Sequence, residues 1–143
     1  MSGYRARLVI GAGLVALVVV AGAAAVALGS SGGGNSATSI LIDIRFSKFN
    51  PSEITVPVGV PITITLQNSD PIDHEWILGD EAIQAIHRVG TEPIHPDHPT
   101  ELFIPALTSR TTVVTFDQTG ALEFICHLPA HEAYGMVGTV TIR

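Results

Sequence analysis

From Ile40 onward the apolar residues of this chain recur at every second position, which is the period of a strand with one buried face. Ile40, Ile42 and Ile44 alternate with Leu41, Asp43 and Arg45; Ile54, Val56 and Val58 with Glu53, Thr55 and Pro57; Ile62, Ile64 and Leu66 with Thr63, Thr65 and Gln67. Val113 and Phe116 lie in a further β-branched run, and ALEFIC and MVGTVTI close the chain. Turn residues at Asn50-Pro51, Gly59, Asn68 to Pro71 and Gly120 punctuate these segments. Short strands at such spacing predict an all-β sandwich or barrel. One helix is expected to interrupt them. Asp80 caps it, Ala82, Ile83, Ile86 and Val89 share its apolar face, and Gly90 stops it. Pro93, Pro96 and Pro99 then stiffen an irregular segment.

The first 36 residues read differently. Arg5 and Arg7 precede an uncharged apolar run from Leu8 to Leu28, 21 residues long. A helix needs about 20 residues to cross a bilayer core, so residues 1–28 are read as an N-terminal hydrophobic helix. It is either an uncleaved membrane anchor or a signal whose cleavage site lies among Ala23, Ala24, Ala25 and Ala27. Both readings send the remainder out of the cytoplasm. Residues 29–36 (GSSGGGNS) form a flexible tether, and residues 37–143, about 107 of them, suffice for one domain. Charge narrows the partners. The chain has 7 basic and 13 acidic residues; with Arg5 and Arg7 set aside, five basic residues face those 13 acids, a formal charge of −8. That disfavours nucleic acid, whose phosphates need clustered Lys and Arg.

A single cysteine excludes an internal disulfide and any cluster or binuclear centre built from several thiolates. That cysteine opens the segment Cys126-His127-Leu128-Pro129-Ala130-His131-Glu132-Ala133-Tyr134-Gly135-Met136, in which Cys126, His131 and Met136 follow a C-x4-H-x4-M spacing between two strand-like segments. His74 lies upstream in Asp73-His74-Glu75-Trp76, at the start of another strand. Two imidazoles, one thiolate and one thioether make a soft-to-borderline donor set of the kind found in blue-copper centres. A loop whose ends a sheet fixes can supply three such ligands, and a neighbouring strand must bring the fourth. Pro129 limits φ in that loop and Gly135 permits a tight return.

These residues resemble the cupredoxins, the plastocyanin/azurin-like type 1 copper proteins. The ligand loop is most similar to the rusticyanin type, with four residues on each side of the second histidine. The likeness runs through Phe46-Ser47-Lys48-Phe49-Asn50-Pro51, Ile54-Thr55-Val56-Pro57-Val58-Gly59, Leu66-Gln67-Asn68 and His74, and into Gly138-Thr139-Val140-Thr141. It implies a Greek-key β-sandwich of about eight strands that holds one copper ion. By the same resemblance His74, Cys126 and His131 are equatorial ligands and Met136 is axial. Glu75 stands where family members often carry Asn, Ser or Asp. The function implied is single-electron transfer between extracytoplasmic redox partners by a monomer that is not an enzyme. Docking is expected on an apolar patch of Leu128, Pro129, Ala130 and Tyr134 around His131.

The remaining candidates are weighed against simpler roles. Trp76 and Tyr134 are expected to be packing groups, Trp76 also screening the site from water, and His127 is expected to lie exposed beside the site rather than to ligate. No oxyanion hole accompanies a Cys126–histidine nucleophile pair. His87, His95 and His98, with Glu92 and Asp97, could bind a second, exposed copper or zinc ion, which would suit an alternative role in copper storage, resistance or delivery.

Overall fold

A computed structural model describes residues 38–90, 93–96 and 98–143. The expected N-terminal helix, the tether, Glu92 and Asp97 lie outside the described residues. Among the described residues no helix is long and apolar enough to cross a membrane.

The described residues form nine strands and one helix in the order β1 (Thr38–Ile44), β2 (Phe49–Asn50), β3 (Glu53–Val56), β4 (Pro61–Asn68), β5 (His74–Gly79), α1 (Glu81–Arg88), β6 (Glu101–Ile104), β7 (Ser109–Thr115), β8 (Gly120–Ile125) and β9 (Val137–Ile142). Two sheets form, with strand orders β2-β1-β4-β7 and β3-β9-β8-β5-β6. β1 runs parallel to β4, and β3 runs parallel to β9. The other pairings are antiparallel. This is the expected Greek-key sandwich, with the two-residue β2 as an additional edge strand.

The alternation seen in the sequence is the burial pattern. Ile42, Ile44, Ile62, Ile64 and Leu66 point inward from one sheet, to meet Ile54, Val56, Trp76, Ile104, Phe124 and Val140 from the other. Removing each such side chain from water contributes about 1.5–3 kcal/mol before the entropy of ordering is set against it. Phe49 and Phe124 meet edge to face, with centroids 5.1 Å apart, and the Trp76 ring lies 6.2 Å from Phe124. Trp76 is a core group, as expected.

The helix forms where predicted, and the Asp80 side chain accepts the Ile83 N–H at 3.1 Å. Its buried face is not the predicted one. Gln84 and His87 are buried, whereas Ala82, Ile83, Ile86 and Val89 are exposed or only partly covered. The reason is polar. Gln84 Nε2 donates to the carbonyls of Ile77 in β5 and Glu123 in β8, both at 3.0 Å, so an amide secures the helix to the outer face of the sheet. Gly79 allows the close approach: a Cβ there would lie 2.6 Å from Ile83 Cβ. Ile77 and Ile125, which face away from the inner core, are buried on this outer side.

Candidate metal centre

The antiparallel pair β8 and β9 ends in the loop from Cys126 to Met136, and β5 lies beside β8 with Ile77 opposite Ile125. This register sets His74, the first residue of β5, next to the loop. Backbone bonds tie the loop to itself. Cys126 N–H donates to Met136 O (3.2 Å), Met136 N–H to His131 O (3.0 Å), His131 N–H to Leu128 O (3.0 Å) and Tyr134 N–H to Ala130 O (3.0 Å). Gly135, at φ +81°, makes the return that the sequence required. A loop closed this way holds its side chains in place with or without an ion.

The donor atoms of His74, Cys126 and His131 all lie within 4.8 Å of one another. Cys126 Sγ is 3.1 Å from His131 Nδ1, and the two imidazole centroids are 4.9 Å apart. His74 and Cys126 are fully buried and His131 is half-buried. Met136 is fully buried in the same apolar cluster as Cys126, and its backbone bonds to both Cys126 and His131. The structure therefore brings the three stronger donors together and anchors the fourth residue against them.

The two imidazoles are disposed toward a metal, whereas the thiol must lose a proton that its burial retains. His74 Nε2 donates to Asp70 Oδ2 at 3.0 Å, which leaves Nδ1 with a bare lone pair. That nitrogen is buried and has no hydrogen-bond partner. A buried polar atom without a partner is costly, and coordination of a cation by the lone pair removes the cost. Asp70 also accepts the N–H groups of Phe46 (2.7 Å) and Ser47 (2.8 Å). Burial alone would raise its pKa, but the N–H groups of Ser47 and Phe46 and the His74 ring outweigh that and hold it below the ordinary carboxylate value. Burial pushes the Cys126 thiol up to about 11, against the partial opposition of N–H groups from Glu75 and Leu128. The Glu75 N–H reaches Sγ at 3.3 Å. Burial, and then His74 beside it, lowers the pKa of His131, favouring the neutral ring that a metal needs.

Glu75 acts on the loop through its side chain as well. Its carboxylate accepts the His127 N–H, and burial sets its pKa above the ordinary value while His87 and that N–H oppose the rise. His127 itself differs from expectation: its side chain is 4 % exposed, its Nε2 donates to Gln84 Oε1 at 2.7 Å, and its ring stacks on His87. The neighbouring helix covers it. Tyr134 differs in the opposite sense, being 71 % exposed because its backbone, not its ring, is used: its carbonyl accepts from Lys48 Nζ.

Asp70 was missed from sequence, as were Phe46 and Leu107 among the exposed apolar residues. Asp70 reads as a turn residue in Asn68 to Pro71, and only its place four residues before His74 hints at a second role. Phe46 (84 % exposed) and Leu107 (70 %) also belong to this end of the sandwich, since the Phe46 N–H donates to the Asp70 carboxylate and the Leu107 N–H to the Asp70 carbonyl.

Residues 37–143 match the family described as copper binding proteins, plastocyanin/azurin family. The chain belongs to that family, and the fold and donor set agree with it: it is a cupredoxin-like protein that binds copper. Among curated relatives, the copper-resistant cuproprotein CopI of Rubrivivax gelatinosus is 34% identical over 100 residues, covering 67% of this chain and 60% of that protein. The match thus spans under two thirds of that relative's length. Among solved structures, the dithionite-reduced auracyanin of Roseiflexus castenholzii is 26% identical with a TM-score of 0.62, covering 75% of this chain and 98% of that one. Auracyanin B superposes with a TM-score of 0.64 at 19% identity, covering 75% and 89%, and shares the fold.

Proposed function

We propose that His74, Cys126 and His131 are the equatorial ligands of one type 1 copper ion, that Met136 is its axial ligand, and that the protein carries single electrons outside the cytoplasm. The observation that supports this most directly is the buried, unpartnered His74 Nδ1 beside a buried thiol. Bound copper supplies one-electron exchange between its cuprous and cupric forms. The chain's residues do the rest. Asp70 fixes the His74 tautomer and orientation. The N–H groups of Glu75 and Leu128 aim at the sulfur and favour its thiolate form, whose proton leaves as metal binds. Trp76 and Phe124 keep water from the core side. The loop's own backbone bonds keep ligand movement small when the charge on the ion changes.

His131, half-buried on the loop, is the exit toward a partner. Around it, Pro129, Ala130 and Tyr134 are exposed, and Phe46 and Leu107 extend this apolar rim. Leu128 is partly buried and packs against the core, so it seals the site rather than leading the contact. A small apolar patch on an acidic body suits brief encounters with a basic redox protein. The N-terminal run from Leu8 to Leu28 would either tether the domain to the membrane or be removed after export. The reading is of an electron carrier, not an enzyme.

The copper-resistance role named for the Rubrivivax relative favours a second reading, copper handling rather than electron transfer. The two differ in what leaves the protein. The copper-loaded protein should show an intense visible band with a narrow copper hyperfine splitting in paramagnetic resonance, and should exchange electrons rapidly with a soluble redox protein while keeping its metal. Slow electron exchange with ready release of copper to an acceptor would favour the handling role. Absence of the visible band would remove the type 1 assignment altogether.

A further inference from the structure

A second group of metal-ligating side chains converges behind the first centre, and the type 1 site makes no use of it. Glu101 opens β6 with its side chain only 7 % exposed. Its Oε2 lies 2.8 Å from His95 Nδ1, and its Oε1 lies 3.2 Å from His98 Nδ1 and 3.7 Å from His87 Nε2. The donor atoms of His95, His98 and Glu101 are all within 4.8 Å of one another. A four-coordinate ion with bonds of about 2.0–2.1 Å sets its donors about 3.3 Å apart. The observed spacings straddle that value, so small side-chain movements would admit an ion.

The surroundings are those of a built pocket. The cluster lines a cavity of about 260 Å³, walled by Leu78, Ile83 and Ile86. This gives the outward isoleucines of α1 a task that core packing does not. Burial would raise the Glu101 pKa, but the His95 N–H and the His95 and His98 rings outweigh it, so the carboxylate is ionised. The His95 and His98 rings already pair with this carboxylate, and a divalent ion among the three would take their place as its partner while they turn a lone pair to the ion. Glu92 and Asp97, which could join such a site by the sequence reading, lie outside the described residues; among the described residues Glu101 supplies the carboxylate.

We propose that His95, His98 and Glu101, with His87 on the wall beside them, form a second metal site for a borderline divalent ion, copper(II) or zinc(II), coupled to the Cys126 centre through His87 and His127. Imidazole and carboxylate donors without sulfur suit both ions, copper(II) the more tightly. His127 is covalently next to Cys126, and its ring stacks on His87 with centroids 6.2 Å apart and planes at 11°. A positive charge held at Glu101 therefore acts on the first centre and disfavours its cupric state.

The test uses the full-length protein with one copper already in the blue centre. Titration with zinc(II), followed by calorimetry, should show one further equivalent bound, and filling it should raise the reduction potential of the blue copper; copper(II) should compete with the zinc. In the double variant His95→Ala/His98→Ala the blue band should persist, which reports an intact fold, while affinity for the second equivalent falls by more than the ~10–100-fold that loss of a mere orienting partner costs, and the potential no longer responds. Glu101→Gln should weaken the second equivalent in the same direction. A parent protein that takes up no second ion, or a double variant that binds it undiminished, overturns the site and leaves Glu101 as the anchor of a proline-rich loop. A second ion that leaves the potential unchanged overturns the coupling through His127. Zinc uptake is read without colour, so failure of the type 1 assignment would be seen separately.

Discussion

Among its described residues the protein gathers side chains able to ligate a metal in two places, and the two are built on opposite plans. The Cys126 centre lies at the end of the sandwich, with two of its three converging donors fully buried, and its loop is closed by backbone hydrogen bonds. The Glu101 cluster lies on the outer face of the sheet under α1, with one buried carboxylate and two of its histidines on an irregular, exposed segment. In the first, one imidazole is fixed by a strand, and the sulfur and the other imidazole by a hydrogen-bonded loop between strands, before any ion arrives. In the second, a carboxylate is fixed and the imidazoles come to it. The contrast teaches that rigidity here follows the sheet register, and that adaptability follows the proline-rich loop.

The largest effect should come from the residue that defines the first plan. Cys126→Ser removes the sulfur, so the intense visible absorption of the oxidised copper protein should vanish, while zinc binding at the Glu101 cluster should survive. Retention of the colour would mean that the two sites do not differ in the way described. Asp70→Ala comes next. It releases His74 Nε2 and frees the Phe46 and Ser47 N–H groups together. Loss of such an orienting partner typically weakens metal binding about 10–100-fold. Competition against a copper chelator should show that loss at the blue centre only; undiminished affinity would show that β5 alone positions His74.

How much of this could be read beforehand depends on how far apart in sequence the cooperating residues lie. The sheets were legible because burial in a sandwich repeats every second residue, and Ile40 to Ile44 and Ile62 to Leu66 obey that rule. The first centre was legible because three of its candidate ligands fall within one loop and the fourth, His74, starts a recognisable strand. Asp70 was hidden because a turn aspartate has local reasons to exist. Glu101 was hidden because its strand signal outweighs its chemistry, and because the turn of chain that brings His95 and His98 back to it has no periodic pattern. The face of α1 was misread for a physical reason. Helical periodicity assumes that the apolar stripe faces the core, and here the buried stripe carries Gln84 and His87 while the isoleucines wall a cavity.

That inverted helix joins the two regions, since Gln84 touches His127 and His87 touches Glu101. Gln84→Ala should orphan the His127 Nε2–H and remove two bonds to sheet carbonyls, for a loss of about 1–3 kcal/mol in denaturant unfolding. Ile83→Ala, on the partly exposed side, should cost less than ~1 kcal/mol. Equal losses would argue that apolar packing, not the amide, secures the helix.

Met136→Leu should have the smallest effect on binding and is the sharpest probe of the first plan. Leucine is close to methionine in volume, so the buried cluster around Cys126 should repack at a cost below about 1.5 kcal/mol. The backbone bonds from Met136 to His131 and Cys126 do not involve the side chain and should persist. Copper should therefore stay bound by two imidazoles and the thiolate, with the visible band kept. What changes is donation. A thioether offers its lone pair more usefully to the cupric than to the cuprous ion, and its removal disfavours the oxidised form, so the reduction potential should rise. Voltammetry of the parent and the variant measures the difference. An unchanged potential in a variant that stays blue would leave Met136 as core packing and reduce the centre to the three donors that β5 and the loop already bring together.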